Sequence, residues 1–169
     1  MTAMTTPDST TRFPEAAIVA DEHVPAVHIW RDFDATVEQV MRAHTDADLF
    51  AQWIGPDALT TSIDEWSCRT NGAYRYVARR GEEEHAFRGT FPFVGEAKIV
   101  QTFTWEGMPE AIALETLTFE DLGDGRTRLH GFSLCDSFEG RDQMLASGME
   151  VGIHDGYRKL DALLAEGAA

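Results

Sequence analysis

The sequence predicts an α+β fold of the helix-grip kind: a curved antiparallel sheet of about six to seven strands wrapped around a long C-terminal helix, with two short helices after the first strand. Three observations predict it. Turn pairs rich in Gly, Asn and Asp break residues 59–134 into a run of alternating segments. Ahead of that run stand two short stretches with helix-start signals. Behind it, roughly Ser137 to Glu166 reads as one amphipathic helix, the only one long enough to cover such a sheet.

Taken in order, Val24 to Phe33 reads as the first strand, because Val27, Ile29 and Phe33 share parity. Thr36-Val37-Glu38-Gln39 has capping-box spacing, so a short helix follows, with Val37, Val40, Met41 and His44 on its buried side. A second short helix runs from Asp46 to Gln52 and stops before Gly55-Pro56. From Leu59 to Leu134 the chain reads as a meander of roughly six strands, broken at Asn71-Gly72, Arg80-Gly81, Val94-Gly95, Glu106-Gly107 and Gly123-Asp124-Gly125. Tyr74 and Tyr76 share one face of their strand, as do Phe87, Gly89 and Phe91, and Gln101, Phe103 and Trp105, so successive strands present aromatic rows. Asp136 or Ser137 can cap the last helix. Residues 1–22 lack periodicity and read as a flexible N-terminal extension, leaving 23–169 as one domain.

Composition removes several function classes. The formal net charge of −15 over 169 residues repels phosphate backbones and anionic lipid, so neither nucleic acid nor membrane is expected as a partner. No basic start leads into an apolar run, and nothing approaches the roughly 18 apolar residues of a membrane span, which makes the expectation a cytoplasmic protein. The two cysteines, Cys68 and Cys135, form no CxxC and read as core or near-core thiols in a reducing compartment. Six histidines are scattered without metal-ligand spacing, so no metal or other cofactor is expected. Ser137 and Ser147 lack a nucleophile elbow, and Gly123-Asp124-Gly125 is a hairpin turn rather than a phosphate cradle. Glu82-Glu83-Glu84 reads as a solvated hairpin cluster and His154 as a solvent-facing helix residue. The carboxylates Glu115 and Glu120 remain for acid–base chemistry, and Glu115 and His130 are the residues to examine for it. Glu115 shares its strand's apolar face with Leu117 and Phe119 and is placed at the rim of the interior; His130 lies within a strand.

The last helix carries the most informative pattern in the chain. Gly148, Gly152 and Gly156 recur every fourth residue within the apolar stripe of Leu145, Met149, Ile153, Leu160 and Leu163. Each interior Gly costs about 1 kcal/mol relative to Ala, so the helix must lie against another backbone or roof a cavity. Opposite it stand more aromatic rings than a thin sheet-on-helix core needs. The expected ligand-binding set is therefore Trp53, Trp66, Tyr74, Tyr76, Phe87, Phe91, Phe103 and Trp105 facing Gly148, Met149, Gly152 and Gly156, with the hydroxyls of Tyr74 and Tyr76 orienting a small apolar molecule.

These motifs carry a family resemblance. Arg31-Asp32-Phe33-Asp34-Ala35, Trp53-Ile54-Gly55-Pro56, Asn71-Gly72-Ala73-Tyr74-Arg75-Tyr76, Arg88-Gly89-Thr90-Phe91, Thr104-Trp105-Glu106-Gly107, Leu117-Thr118-Phe119-Glu120 and Gly148-Met149, in this order, resemble the START-like (SRPBCC, Bet v 1-like) superfamily. Within it they are similar to proteins like the C-terminal domain of the activator of heat shock protein 90 ATPase. The resemblance spans about Val24 to Glu166 and implies an apolar cavity between sheet and helix in a small bacterial protein. The chain departs from the family pattern at Phe91-Pro92-Phe93-Val94-Gly95-Glu96-Ala97-Lys98, where a cavity-edge carboxylate is missing, at Ile54, where a second Trp is common, and at His130-Gly131-Phe132. A non-catalytic protein binding a small apolar ligand is the first reading. The resemblance also implies a co-chaperone-like interaction module, although a chaperone partner is not expected with only about 22 residues before the fold, or a cavity enzyme of the cyclase or hydrolase kind using Glu115 or His130. Homodimerisation through the sheet face or the first strand's edge is left open.

Overall fold

The structure is a computed structural model that describes residues 6–8 and 10–169. Its elements are β1 (Ala17–Ala20), β2 (Ala26–Phe33), α1 (Val37–Thr45), α2 (Ala47–Trp53), β3 (Thr60–Trp66), β4 (Gly72–Arg80), β5 (Glu83–Phe91), β6 (Phe93–Val94), β7 (Lys98–Trp105), β8 (Ala113–Gly123), β9 (Arg126–Leu134), α3 (Phe138–Ala146) and α4 (Met149–Ala165). Among the described residues the strands form one antiparallel sheet in the order β1-β2-β9-β8-β7-β5-β4-β3, with β6 paired to β7. This is the expected α+β helix-grip architecture. Its nine strands exceed the six to seven read from the sequence because β1 and β6 are too short to show a period.

Local signals place the early helices as expected. Thr36 and Gln39 close a reciprocal capping box on α1, and the Asp46 carboxylate accepts from Leu49 N to start α2. Two indoles then fix this pair: Trp53 Nε1 of α2 donates to the Ala43 carbonyl of α1 at 2.8 Å, joining the helices, and Trp66 Nε1 of β3 donates to the Thr45 carbonyl at 2.7 Å, tying them to the sheet. Phe33, Val40, Phe91, Ile99, Leu129 and Leu160 are fully buried between sheet and helices.

The described part of the stretch read as a flexible extension, residues 1–22, is built into the fold. β1 pairs with β2 from Ala17↔Trp30 to Ala20↔Val27. Nearer the N-terminus, the buried Arg128 guanidinium pairs with Asp32 at 2.8 Å and donates to the carbonyls of Asp8 and Thr11. Phe13 and Asp32 exchange further bonds, and the Phe13 ring lies under the Arg128 guanidinium, 5.0 Å from ring centre to carbon. Residues 1–5 and 9 of that extension lie outside the described residues.

The expected single helix from Ser137 to Glu166 is two helices. Ser147 ends α3, and Gly148, at φ +85°, turns the chain before α4 begins. A residue with a Cβ is strained there, so this glycine is a helix break rather than part of a continuous stripe. α3 is held by Arg141, whose guanidinium donates to the carbonyls of Asp21 in the β1–β2 connection and of Ala26 at the start of β2. α4 instead lies on the end of α2. A Cβ on Gly156 would stand 3.0 Å from the Trp53 carbonyl oxygen, and one on Gly152 would meet Pro56 at 3.5 Å.

Candidate functional site

The sheet curls away from α3 and α4 and leaves a cavity of about 760 Å³ between them. Small-molecule sites typically occupy about 300–1,000 Å³, whereas voids left in a packed core are few and small. The wall is a continuous run of rings along the inner face of β4, β5 and β7. Tyr74 stacks beside Tyr76 (6.2 Å between centres), Tyr76 beside Phe87 (5.2 Å) and Phe87 beside Phe103 (5.4 Å). Trp66 and Phe50 close one end, 4.8 Å apart. Gly131, Ile29 and Leu117 line another part, and an added Cβ on Gly131 would meet only the latter two, at 3.6 and 3.5 Å. Trp105, Met108, Ile112 and Val151 are exposed apolar residues at the entrance.

The structure brings together eleven of the twelve residues in the expected set. Trp53, Trp66, Tyr74, Tyr76, Phe87, Phe91, Phe103, Trp105, Gly148, Met149 and Gly152 all line the cavity. Gly156 does not. It is the close-approach point between α4 and the Trp53 carbonyl, so the helical glycines divide their roles: a break at 148, the cavity at 152 and a backbone contact at 156. The expected role of the Tyr74 hydroxyl also changes. It crosses the bare Cα of Gly89 and donates to the Thr102 carbonyl at 2.7 Å, which commits its proton to the sheet. The Tyr76 hydroxyl has no hydrogen-bonding partner among the described residues.

Polar groups inside the cavity are few and specific. Glu115, expected at the rim, sits within it on β8, opposite Gln101 of β7 and Ser133 of β9. Gln101 Nε2 donates to Oε1 at 2.9 Å and Ser133 Oγ to Oε2 at 3.2 Å. Burial raises the Glu115 pKa above the usual carboxylate range, and the two donors only partly offset it. Burial, with the nearby Glu115 charge as a second cause, also raises the phenols of Tyr74, Tyr76 and Tyr157. His44 reaches the cavity as a neutral imidazole. Its Nδ1–H donates to the Val40 carbonyl at 2.8 Å, and burial lowers its pKa to about 4. Among the described residues no Lys or Arg lines this cavity.

His130, the other acid–base candidate, is on the opposite face of the sheet. It stacks on Trp30 at 3.8 Å, and its Nε2 lies 2.9 Å from His28 Nδ1, while His28 Nε2 lies 2.9 Å from Asp21 Oδ2. With Asp21 accepting from His28 Nε2–H, a neutral His28 accepts from His130, a chain that fixes both tautomers. Burial and the neighbouring His28 lower the His130 pKa to about 4. This chain borders an outer hollow of about 480 Å³ and has no access to the cavity face. Among the described residues no cluster of His, Cys, Asp and Glu could hold a metal ion, and no helix is long and apolar enough to cross a membrane.

Residues that sequence reasoning missed are Gln101 and Ser133 as partners of Glu115, and Ile29, Leu117 and Gly131 of the cavity wall. Gln101 carried a signal, since it shares parity with Phe103 and Trp105; Ser133 carried none without the strand order.

No curated protein matches the chain. The fold is shared with solved bacterial proteins. A protein from Rhodobacter sphaeroides superposes with a TM-score of 0.82 at 23% identity, covering 90% of this chain and 99% of its own. Protein Ms6760 from Mycobacterium smegmatis has a TM-score of 0.80 at 21% identity, covering 89% and 97%. A protein from Arthrobacter aurescens gives 0.80 at 21% identity, covering 89% and 91%. The family model described as activator of Hsp90 ATPase homolog 1-like protein matches residues 34–165, a span from just after β2 to the end of α4 that takes in the ring wall of the cavity. With that match over most of its length, this chain belongs to the activator of Hsp90 ATPase homolog 1-like family.

Proposed function

We propose that the protein binds a small, largely apolar molecule in the cavity between sheet and helices. One observation carries the reading: a volume of about 760 Å³ lies where a core would otherwise close, walled by stacked rings and reached past exposed apolar residues. A hydrophobic core of this size gains dispersion and burial by filling its voids, so an occupant supplies what the chain's own side chains leave out. Native mass spectrometry of the purified protein beside its denatured spectrum tests this, since a bound molecule appears as a mass that denaturation releases. The variant Gly152→Leu places a branched side chain at the cavity wall, and loss of the released mass with an unchanged circular dichroism spectrum is the expected result. Retention of the full adduct in that variant overturns the assignment of the cavity as the site.

A second reading, acid–base chemistry on the bound molecule, is supported by Glu115, a carboxyl of raised pKa inside the cavity. Its mark is a change in mass of an added ligand during incubation with the wild type and none with Glu115→Gln.

A further inference from the structure

The cavity is polarised in one sense only. Glu115 and Asp136 are its carboxylates, among the described residues no Lys or Arg lines it, and the one lining histidine besides the buried, neutral His44 is His85, which is already beside Glu83. Glu115 is satisfied by neutral donors, Gln101 and Ser133, so its two hydrogen bonds bring no positive charge. Elsewhere in the molecule, the buried guanidinium groups are paired with carboxylates: Arg128 with the buried Asp32, and Arg31 with the more exposed Asp161. Glu115 is a buried carboxylate without such a partner among the described residues. It shares the cavity lining with Tyr74, Tyr76 and Tyr157, whose phenols feel its charge and whose rings, through their negative faces, attract cations rather than anions. The net charge of −15 adds a field that draws cations toward the mouth and turns away fatty acids and other carboxylates.

Resting on the binding function proposed above, we infer that the ligand is a lipophilic amine, its ammonium paired with the Glu115 carboxylate beside Tyr76 and its apolar body laid along Phe87 and Phe103. The missing countercharge is then supplied by the ligand. A neutral molecule would leave Glu115 unpaired, and an anion would meet like charge in a low-dielectric space. Binding of the ammonium shifts Glu115 toward its ionised form, so affinity rises with pH until the carboxyl is ionised in the free protein as well. The titratable groups facing Glu115 or lining the cavity around it are Tyr74, Tyr76, Tyr157, Cys135, His44, Asp136 and His85, the last tied to Glu83 by a 2.9 Å contact from its Nε2. None of the first five is a cation near neutral pH, since burial holds the phenols and the thiol protonated and His44 neutral.

The test is a matched set of probes that differ at one end, 6-(2-naphthyl)hexylamine, 6-(2-naphthyl)hexanol and 6-(2-naphthyl)hexanoate, titrated calorimetrically at pH 7 into the full-length protein and into Glu115→Gln. The amine is expected to bind the wild type about tenfold more tightly than the alcohol, with the carboxylate weakest. In Glu115→Gln, which keeps the shape, with the amide oxygen accepting from Gln101 and the amide nitrogen donating to Ser133 Oγ, the amine should lose its tenfold advantage over the alcohol. An alcohol that binds as tightly as the amine to the wild type, or a carboxylate that binds best, overturns the inference while leaving the binding function standing. Failure of all three to bind overturns both together. The wild-type ranking alone decides the matter if the variant does not fold.

Discussion

A single histidine shows how burial at residue scale becomes a pH dependence. His44 is packed between Trp53 and Phe119, with ring centres 4.8 and 5.1 Å away, and its pKa falls from 6.5 to about 4 because burial strips away the water that would solvate an imidazolium. In the unfolded chain the group takes up a proton near pH 6.5, but the folded chain resists until about pH 4. Its contribution to stability is therefore complete above pH 6.5 and is lost as the pH falls toward 4, at most about 3 kcal/mol. Urea unfolding at pH 7 and pH 5 should show the wild type losing about 2 kcal/mol more than His44→Leu over that interval. Equal losses in the two proteins would mean that the ring reaches solvent. Glu115 behaves oppositely. Its raised pKa favours the folded state at low pH and costs stability as the pH rises through the folded-state value, the reason that a charge partner in the cavity would be felt there.

The elements meet through bare backbone positions, and α4 offers two that differ in what surrounds them. At Gly156 a Cβ would press on the Trp53 carbonyl oxygen at 3.0 Å, a backbone atom that can retreat only by moving α2. At Gly152 the neighbours are Pro56 and Gly55 at 3.5–3.9 Å, ordinary contact distances. Gly152→Ala is accordingly expected to stabilise the protein by roughly 0.5–1 kcal/mol through helix propensity. Gly156→Ala should destabilise it by about 1–2 kcal/mol, as overpacking outweighs the same propensity gain. Denaturant midpoints of the two variants check both signs. If they shift together, α4 does not rest on α2 as described.

Across the whole molecule, long-range ion pairs fasten what the local signals leave loose. Arg31 on β2 binds Asp161 on α4 and lies over the Phe33 ring at 4.7 Å, joining the inner sheet face to the last helix. Arg128 on β9 reaches through Asp32 to the carbonyls of Asp8 and Thr11, joining the outer face to the N-terminal segment. Arg128→Ala strands the Asp32 carboxylate, whose side chain is only 10% exposed, and removes the donors of two carbonyls. The expected cost is about 3–5 kcal/mol, with faster proteolysis before residue 26. Unfolding curves and limited digestion read the two effects separately, and an unchanged cleavage rate would mean that β1 alone anchors the segment.

What the sequence by itself determined is the set of features written within a few residues of chain. The capping box at Thr36 and Gln39, the positive-φ turns at Asn71, Gly81 and Gly123 to Gly125, and the shared parity of Tyr74 with Tyr76 and of Phe87 with Phe91 all follow from local periodicity. Together they suffice for the class of fold and for most of the ring wall. Tertiary structure alone decided the rest. Gly148 lies at the right spacing for a continuous stripe and yet breaks the helix, because Arg141 draws α3 to the β1–β2 connection while α4 lies on α2. Glu115 has one parity whether it ends at a wet rim or within the cavity. Its place depends on Gln101 and Ser133, 14 and 18 residues away along the chain, and on how far the sheet curls around them. Such contacts are settled by the order of strands and the closure of the sheet over the helices, quantities that no local pattern encodes.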